Sequence, residues 1–391
     1  MPRGHGSNSV RTYQREHVAA REALERIYNV NMEIDDSYGK IVTAEGGRDE
    51  PFHRWHPYRQ AYSPELVRRF LAESSPVDGP ILDPFSGSGT TVVECARQGR
   101  AAVGVDAVPV LAWLARARFA AAAPALPVVP NGSSFAAWYA ASELPIHRAA
   151  VLLAAGRTVS GAGRPKRASE PETLVHDVYS LIAEDLQTPL PDVGRTVVGD
   201  ARSLPFAAAS CGGLVCSPPY LSRYDYARIN APMERLYRAT QRSELMQRQM
   251  RAAVGVKDKN LRRKNRMALP EAAEEAAKGL EIRGNGADAA VVRNYFGDLA
   301  RIVSEMRRVL KPGAPCWIVI GGADLDREYI PADLICAEQA QAAGFELEMV
   351  TEARKLRFSP RRLGGLVEIA PRESIVRLRR GPDRFDEDQD A

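Results

Sequence analysis

Residues 81–91, Ile-Leu-Asp-Pro-Phe-Ser-Gly-Ser-Gly-Thr-Thr, constrain the fold more than any other part of the chain. Ile81 and Leu82 close an apolar strand. Gly87 and Gly89 let the backbone turn tightly and approach a ligand without a Cβ in the way. Thr90-Thr91-Val92-Val93-Glu94 then opens a helix whose first N–H groups have no intrahelical partner. About twenty residues on, Ala101-Ala102-Val103-Gly104-Val105 reads as a second strand ending in Asp106, a carboxylate placed to accept from ribose hydroxyls. Together these describe a βαβ unit with a nucleoside site.

The kind of nucleoside follows from what the turn lacks. A dinucleotide fingerprint is Gly-x-Gly-x-x-Gly, and the residue three beyond Gly89 is Val92. No Gly-Lys-Ser/Thr ends the turn, which excludes a phosphate loop. An acid at the strand end, Asp83, suits a cationic ligand better than a pyrophosphate. S-adenosylmethionine carries an ammonium and a sulfonium and fits that requirement. A second corner, Ser217-Pro218-Pro219-Tyr220, follows the apolar run Gly213-Leu214-Val215-Cys216. Alone, the first stretch would be a general nucleotide-binding turn and the second a proline-rich turn; the pair in one chain points to methyl transfer.

Asp83-Pro84-Phe85-Ser86-Gly87-Ser88-Gly89-Thr90-Thr91 with Ser217-Pro218-Pro219-Tyr220 resembles the motifs of amino-methylating (cytosine-N4 or adenine-N6) site-specific DNA methyltransferases, most closely the cytosine-N4 group. His56-Pro57-Tyr58 and the run from Ser63 to Phe70 resemble the segment that lines the methionine end of the cofactor in that family. The resemblance continues through Gly199-Asp200-Ala201-Arg202, Tyr295 to Leu299, Leu310 to Gly313 and Arg372 to Val376, and so spans most of the chain from His53 to Arg380. It implies an α/β, Rossmann-like, S-adenosylmethionine-dependent methyltransferase fold: a mostly parallel seven-stranded sheet with a C-terminal antiparallel hairpin and helical insertions. It implies S-adenosyl-L-methionine as cofactor, held by His56, Tyr58, Asp83, Pro84, Phe85, Gly87, Ser88, Gly89, Thr90, Asp106 and Asp200. Asp106 taken alone also reads as a helix cap, and Asp200 as a turn residue. The implied substrate is double-stranded DNA, and in a restriction–modification setting a cognate restriction endonuclease is encoded separately. Ser as the first residue of the catalytic corner leans toward cytosine N4, where Asp or Asn leans toward adenine N6. The cofactor motif precedes the catalytic one, whereas many cytosine-N4 members show the reverse order, so order does not identify the target atom. Adenine N6 and an RNA base remain the alternatives.

The chemistry accounts for the corner. An exocyclic amine is a poor nucleophile because its lone pair is delocalised into the ring, so positioning carries most of the catalysis. In this reading the Ser217 hydroxyl and the Pro218 carbonyl accept from the amine, Pro219 holds the loop dihedrals, and Tyr220 offers a face for the target base, worth roughly 1–3 kcal/mol by stacking. The base must leave the duplex stack before it reacts. No covalent nucleophile is needed. Cys216 would serve ring-carbon methylation in a Pro-Cys-Gln context; here it precedes Ser-Pro-Pro-Tyr and reads as a buried strand residue.

Composition agrees with an intracellular enzyme. The 391 residues suffice for one large α/β domain with insertions or for two domains. Net charge is only +4, so a polyanionic partner must be met by a local basic surface. The five cysteines include no Cys-x-x-Cys pair, which suits a reducing compartment and argues against a zinc site; no metal is expected. No apolar run reaches the length of about eighteen residues that a membrane span requires, and Met1 to Gly6 lacks a signal-peptide core. The expected location is the cytoplasm, on the nucleoid.

Along the chain we expect an N-terminal helical and flexible segment (1–50), a cofactor-binding half (51–123), an insertion (124–192), a catalytic segment (193–232), a basic helical insertion (233–290), the C-terminal part of the core (291–380) and an acidic disordered tail (381–391). Within the first insertion, 161–167 is a basic loop and a helix runs from Pro171 to Leu186. After the corner, Arg223, Tyr224 and Arg228 either touch the flipped base and its phosphates or knit the loop to the core. From Arg242 to Arg266 comes the strongest charge bias, with Lys257, Lys259, Arg262, Arg263, Lys264 and Arg266. Phosphate contacts belong there, because basic side chains release counterions from nucleic acid; a solvated helical face is the alternative. We take 233–290 as the leading target-recognition segment and 124–192 as the second. Two readings from other classes stay open: a nucleic-acid-binding regulator with a dead site, and a small-molecule methyltransferase, which would need neither the basic insertion nor the Pro-Pro-Tyr corner.

Overall fold

The computed structural model describes residues 19–56, 58, 60–160, 169–221, 226–239, 268–326, 328–356 and 371–383. Expectations that fall on Arg223, Tyr224, the Arg242–Arg266 stretch with Lys257, Lys259, Arg262, Arg263, Lys264 and Arg266, the loop 161–167, and the tail beyond Asp383 lie outside the described residues.

The apolar runs form a single large sheet. Its strands are β1 (Met32–Ile34), β2 (Ile81–Asp83), β3 (Ala102–Asp106), β4 (Gly194–Val198), β5 (Gly213–Cys216), β6 (Pro315–Gly321), β9 (Phe345–Lys355) and β10 (Arg372–Arg380), in the order β1-β9-β10-β6-β5-β2-β3-β4. A separate two-stranded ribbon pairs β7 (Ala323–Leu325) with β8 (Glu328–Ile330). β2, β3, β4, β5 and β6 run parallel, and β10 is antiparallel to both β6 and β9, which gives the expected C-terminal hairpin. The sheet has eight strands where seven were expected. The addition is β1, three residues pairing parallel with β9 from Met32↔Val350 to Ile34↔Glu352, too short to show a hydrophobic period in sequence.

Alternation along the central strands divides the core into two faces, as period-2 side chains must. Leu82, Leu214, Cys216, Cys316, Ile318 and Ile320 face one cluster, filled by α9 (Glu271–Ile282), α10 (Gly286–Val309) and α11 (Ala332–Ala342). Ile81, Val215, Trp317 and Val319 face another, with Leu66, Val67 and Phe70 of α2 (Pro64–Glu73) and Val92 of α3 (Thr90–Arg97). Because both faces are covered, β2, β5 and β6 are buried at every position, which is why they read as continuous apolar runs. α1 (Ala19–Tyr28) is the described part of the expected N-terminal helix; its Arg21 is buried and paired with Glu275 and Glu328, joining it to α9 and β8.

The segment 124–192 packs into a third cluster shared with the 52–58 loop, the helix that follows β3 and a helix after the Ser217 corner. α5 (Phe135–Ala141), α6 (Pro145–Gly156), α7 (Pro171–Asp185) and α8 (Tyr226–Ala239) pack on α4 (Pro109–Ala117) through Trp138, Val151, Ile182 and Met233. Gly156 lets α6 meet α8 closely, since a Cβ there would lie 2.9 Å from Met233 Sδ. The described ends of 233–290 are likewise core: Ala272, Ala273, Ala276, Ala277 and Leu280 of α9 are buried. No described helix is long and apolar enough to cross a membrane.

Chain order across the sheet places the cleft. From β2 the chain moves outward to β3 and β4, then returns to the other side of β2 with β5 and continues to β6. The order reverses between β2 and β5. In open parallel sheets such a reversal leaves a crevice at the carboxyl ends of the strands, where the loops on the two sides diverge.

Candidate active site

The loops after β2, β3, β4 and β5 meet at that crevice. They line a cleft whose empty space, solvent mouth included, is about 750 Å³. Pro84, Phe85 and Gly87 come from the first loop, Asp106 and Val108 from the second, Gly199 and Asp200 from the third, and Ser217 and Pro219 from the fourth. Tyr58 closes the side. The two sequence corners, more than a hundred residues apart, share one cavity.

The glycine turn is built as its sequence requires. Gly87 sits at φ +48° under the Tyr58 ring, and Gly89 at φ +86° caps α3 with Ala115 packed against it. Both values lie in the left-handed region that side chains avoid. The Ser86 amide donates to the Val105 carbonyl at 2.9 Å, tying the turn to β3.

Asp83 departs from expectation. Only 2% exposed, it accepts from the Phe85 amide at 3.0 Å, Tyr62 Oη at 2.9 Å and Thr91 Oγ1 at 2.8 Å. Burial pushes its carboxyl up to about 6, against the pull of those three donors. With three donors bound internally and no place in the cleft lining, Asp83 holds the shape of the turn in this structure. Tyr62, whose hydroxyl also lies against Thr91 Oγ1 and 3.3 Å from the Val215 carbonyl, is the partner the sequence did not reveal.

Asp106 does border the cleft. One oxygen accepts from the Gly87 amide and the other from the Val108 amide, each at 2.8 Å, and burial lifts its carboxyl to about 6. Asp106 thus closes a turn ahead of α4, whose N-cap is Val108, and borders the cleft; each carboxylate oxygen keeps a further lone pair. Asp200 forms a fork with Arg202, at 2.9 Å to Nε and 2.6 Å to a terminal nitrogen. Burial raises its carboxyl, but the Arg202 hydrogen bonds and charge outweigh this and hold it below the usual range. Arg202 is itself anchored on Asp298 at 2.9 Å.

The upstream segment is fixed from outside the cofactor half. Asp185, at the end of α7, accepts from the Phe52 amide at 2.5 Å and Trp55 Nε1 at 2.7 Å, and it also pairs with Arg54. This orders the loop that delivers His56 and Tyr58, whose rings lie 5.2 Å apart. His56 is held neutral, its pKa pushed down to about 3 by burial and by the nearby Arg118 and Arg157. His56, Ser88 and Thr90 line a smaller recess on the far side of Tyr58, with His53 and Arg48, and not the main cleft. Gly89 and Thr90 act through the backbone of the turn and the start of α3.

At the proposed catalytic corner Ser217 and Pro219 line the cleft, and Cys216 is wholly buried in the core, its thiol pushed well above its ordinary range by burial. Tyr220 departs from expectation. Its ring is 8% exposed, packed where Gly321 has no side chain, and its hydroxyl donates to Glu373 Oε1 at 2.7 Å. It therefore presents no open stacking face in this structure. Arg228 stands exposed in the first turn of α8. All five cysteines are reduced and buried. Among the described residues no group of acids, histidines and cysteines is arranged to hold a metal.

A doubly wound sheet whose switch-point cleft holds a glycine turn, a strand-end acid and a second acid on the next loop is a frame suited to a nucleoside cofactor such as S-adenosylmethionine. The cleft suits that cofactor: positive-φ glycines admit close approach, and Asp106 and Asp200 keep acceptors facing it. Residues 11–112 match a family described as DNA methylase. In an alignment 422 positions long, covering 84% of this chain and 86% of the relative, the chain is 22% identical to the type II methyltransferase M.AvaI of Nostoc sp.. Over 80 residues, 20% of this chain and 15% of the relative, it is 37% identical to the type II methyltransferase M.MjaII of Methanocaldococcus jannaschii. A solved S-adenosylmethionine-dependent methyltransferase from Methanosarcina mazei aligns with 80% of this chain and 97% of its own length, at 12% identity and a TM-score of 0.35. The fold class is read from the strand order, not from that last likeness. The chain is similar to the amino-methylating DNA methyltransferases, as its two motifs implied.

Proposed function

We propose that this protein is a site-specific DNA methyltransferase of the restriction–modification or epigenetic-marking kind that methylates the exocyclic N4 amine of a flipped-out cytosine. The observation that carries the reading is the shared cleft: Ser217 and Pro219 face the same cavity as Phe85, Asp106 and Asp200. Asp106 accepts from the ribose hydroxyls of the cofactor and Asp200 from its base. Phe85, Val108 and the turn at Gly87 shape the cleft around it. When bound, S-adenosylmethionine supplies a methyl group on a sulfonium, already activated for transfer.

The remaining work belongs to the corner. Ser217 Oγ and the Pro218 carbonyl accept the two N–H bonds of the amine and draw its nitrogen toward tetrahedral geometry, and Pro219 keeps the loop from relaxing. The basic stretch from Arg242 to Arg266, with Arg223, Tyr224 and Arg228, supplies phosphate contacts. The similarity to M.AvaI and M.MjaII, both named as type II methyltransferases, supports DNA as the polymer. Ser as the first residue of the corner supports cytosine N4 over adenine N6.

The test is transfer of labelled methyl from S-adenosylmethionine to duplex DNA, followed by digestion to nucleosides and identification of the product by mass, with Ser217→Ala as control. N4-methylcytosine that vanishes in the variant is the expected result. N6-methyladenine would keep the mechanism and change the base; transfer to RNA alone would refute the substrate.

A further inference from the structure

A chain of hydrogen bonds runs from the cleft into the sheet. Ser217 Oγ donates to Tyr220 Oη at 3.4 Å, Tyr220 Oη donates to Glu373 Oε1 at 2.7 Å, and Glu373 Oε2 accepts from Arg354 Nε at 2.5 Å. Glu373 lies on β10 and is 4% exposed. Of these groups only Ser217 borders the cleft. We propose that Glu373 is a positioning residue that fixes the direction of hydrogen bonding at Ser217. The inference rests on the reading that Ser217 accepts from an exocyclic amine.

The polarity follows from the donor inventory. A carboxylate can only accept, so the single phenolic proton of Tyr220 is committed to Glu373. The Tyr220 oxygen then has only lone pairs to offer Ser217, and the Ser217 proton turns inward to meet them. That leaves the Ser217 lone pairs toward the cleft, the arrangement an amine donor requires. An unconstrained serine would spend part of its time with its proton facing the amine, donor against donor. The β9–β10 hairpin thereby acts on the catalytic corner without touching substrate, and Gly321 makes room for the tyrosine that transmits the effect.

Glu373→Gln tests this with the shape preserved. Arg354 keeps its acceptor on the amide oxygen, so the amide NH₂ faces Tyr220 and donates to it. The chain then reverses, and the Ser217 proton points into the cleft. We expect kcat for methyl transfer to duplex DNA to fall on the order of tenfold, with the dissociation constant for S-adenosylmethionine and the thermal midpoint close to wild type. Tyr220→Phe cuts the relay, so Glu373→Gln added to it should cause no further loss. Wild-type turnover with Glu373→Gln equal to it overturns this inference alone. A loss from Glu373→Gln that is the same with and without the Tyr220 hydroxyl assigns Glu373 a packing role and also overturns it. Wild-type protein that transfers no methyl to any nucleic acid overturns the functional reading and this inference with it.

Discussion

Replacing Tyr62 by Phe keeps the ring and removes the hydroxyl that meets the buried Asp83 carboxylate, together with its contacts to Thr91 Oγ1 and the Val215 carbonyl. Tyr62 Oη donates to Asp83 Oδ2 at 2.9 Å, and Asp83 is 2% exposed, so no water can replace the lost donor. A hydrogen bond to a charged buried group is worth about 1.5–3 kcal/mol, and we expect Tyr62→Phe to lose about 2 kcal/mol of stability at pH 7.5. The loss must also depend on pH. The Tyr62 bond favours the ionised form of Asp83, whose folded pKa is about 6 with that bond present. Its stabilisation is therefore complete only above the higher pKa that Asp83 takes without the bond, and it fades as pH falls toward about 6, below which the carboxyl is protonated in both proteins. Urea unfolding followed by tryptophan fluorescence at pH 7.5 and pH 5.0 measures both quantities. A difference between wild type and variant that is equal at the two pH values, or below about 0.5 kcal/mol at pH 7.5, would refute the assignment of Asp83 as a buried, ionisable anchor of the turn.

Asp106 carries a functional pH dependence of the same sign. Its carboxyl titrates near 6 when folded, so cofactor affinity measured by calorimetry should weaken as pH falls from 7.5 to 5.5, and Asp106→Asn should bind weakly with a flat profile. Gly89→Ala places a Cβ 2.8 Å from that of Ala115 on a backbone at φ +86°; a loss of at least about 1–2 kcal/mol in thermal or urea unfolding is expected, with weakened cofactor binding. Cys216→Ala removes a buried thiol that packs in the core. Methyl transfer should persist within a few-fold while the protein unfolds earlier by about 1–3 kcal/mol; complete loss of turnover in a folded Cys216→Ala protein would instead indicate a covalent nucleophile.

Much of the site was legible because its chemistry is local. Gly87 and Gly89 are needed wherever a strand must turn at once into a helix with positive φ, and the chain carries them at that place. Asp106 is announced by the end of an apolar run, and Ser217 and Pro219 by the corner after another. Burial of Cys216 follows from its place at the end of a continuous apolar strand. The partners of Asp83 and Tyr220 were not legible, for the opposite reason. Both are polar groups at strand ends, and whether such a group faces ligand or protein depends on partners far away in sequence. Tyr62 claims the first, and Glu373, 153 residues from Tyr220, claims the second.

The sequence by itself thus determined the local devices: which runs become fully buried strands, where the backbone must take left-handed dihedrals, and which residue types stand at the strand ends. These depend on period, on sterics within a few residues and on side-chain chemistry. Only the tertiary structure decided which devices share a cleft. That assembly is set by the reversal of strand order at β2 and β5, by the addition of β1 to the sheet edge, and by Asp185 and Glu373 reaching across from other elements. Long-range pairings of this kind leave no period in the chain, because their energy arises only once distant segments have been brought together and water excluded from between them.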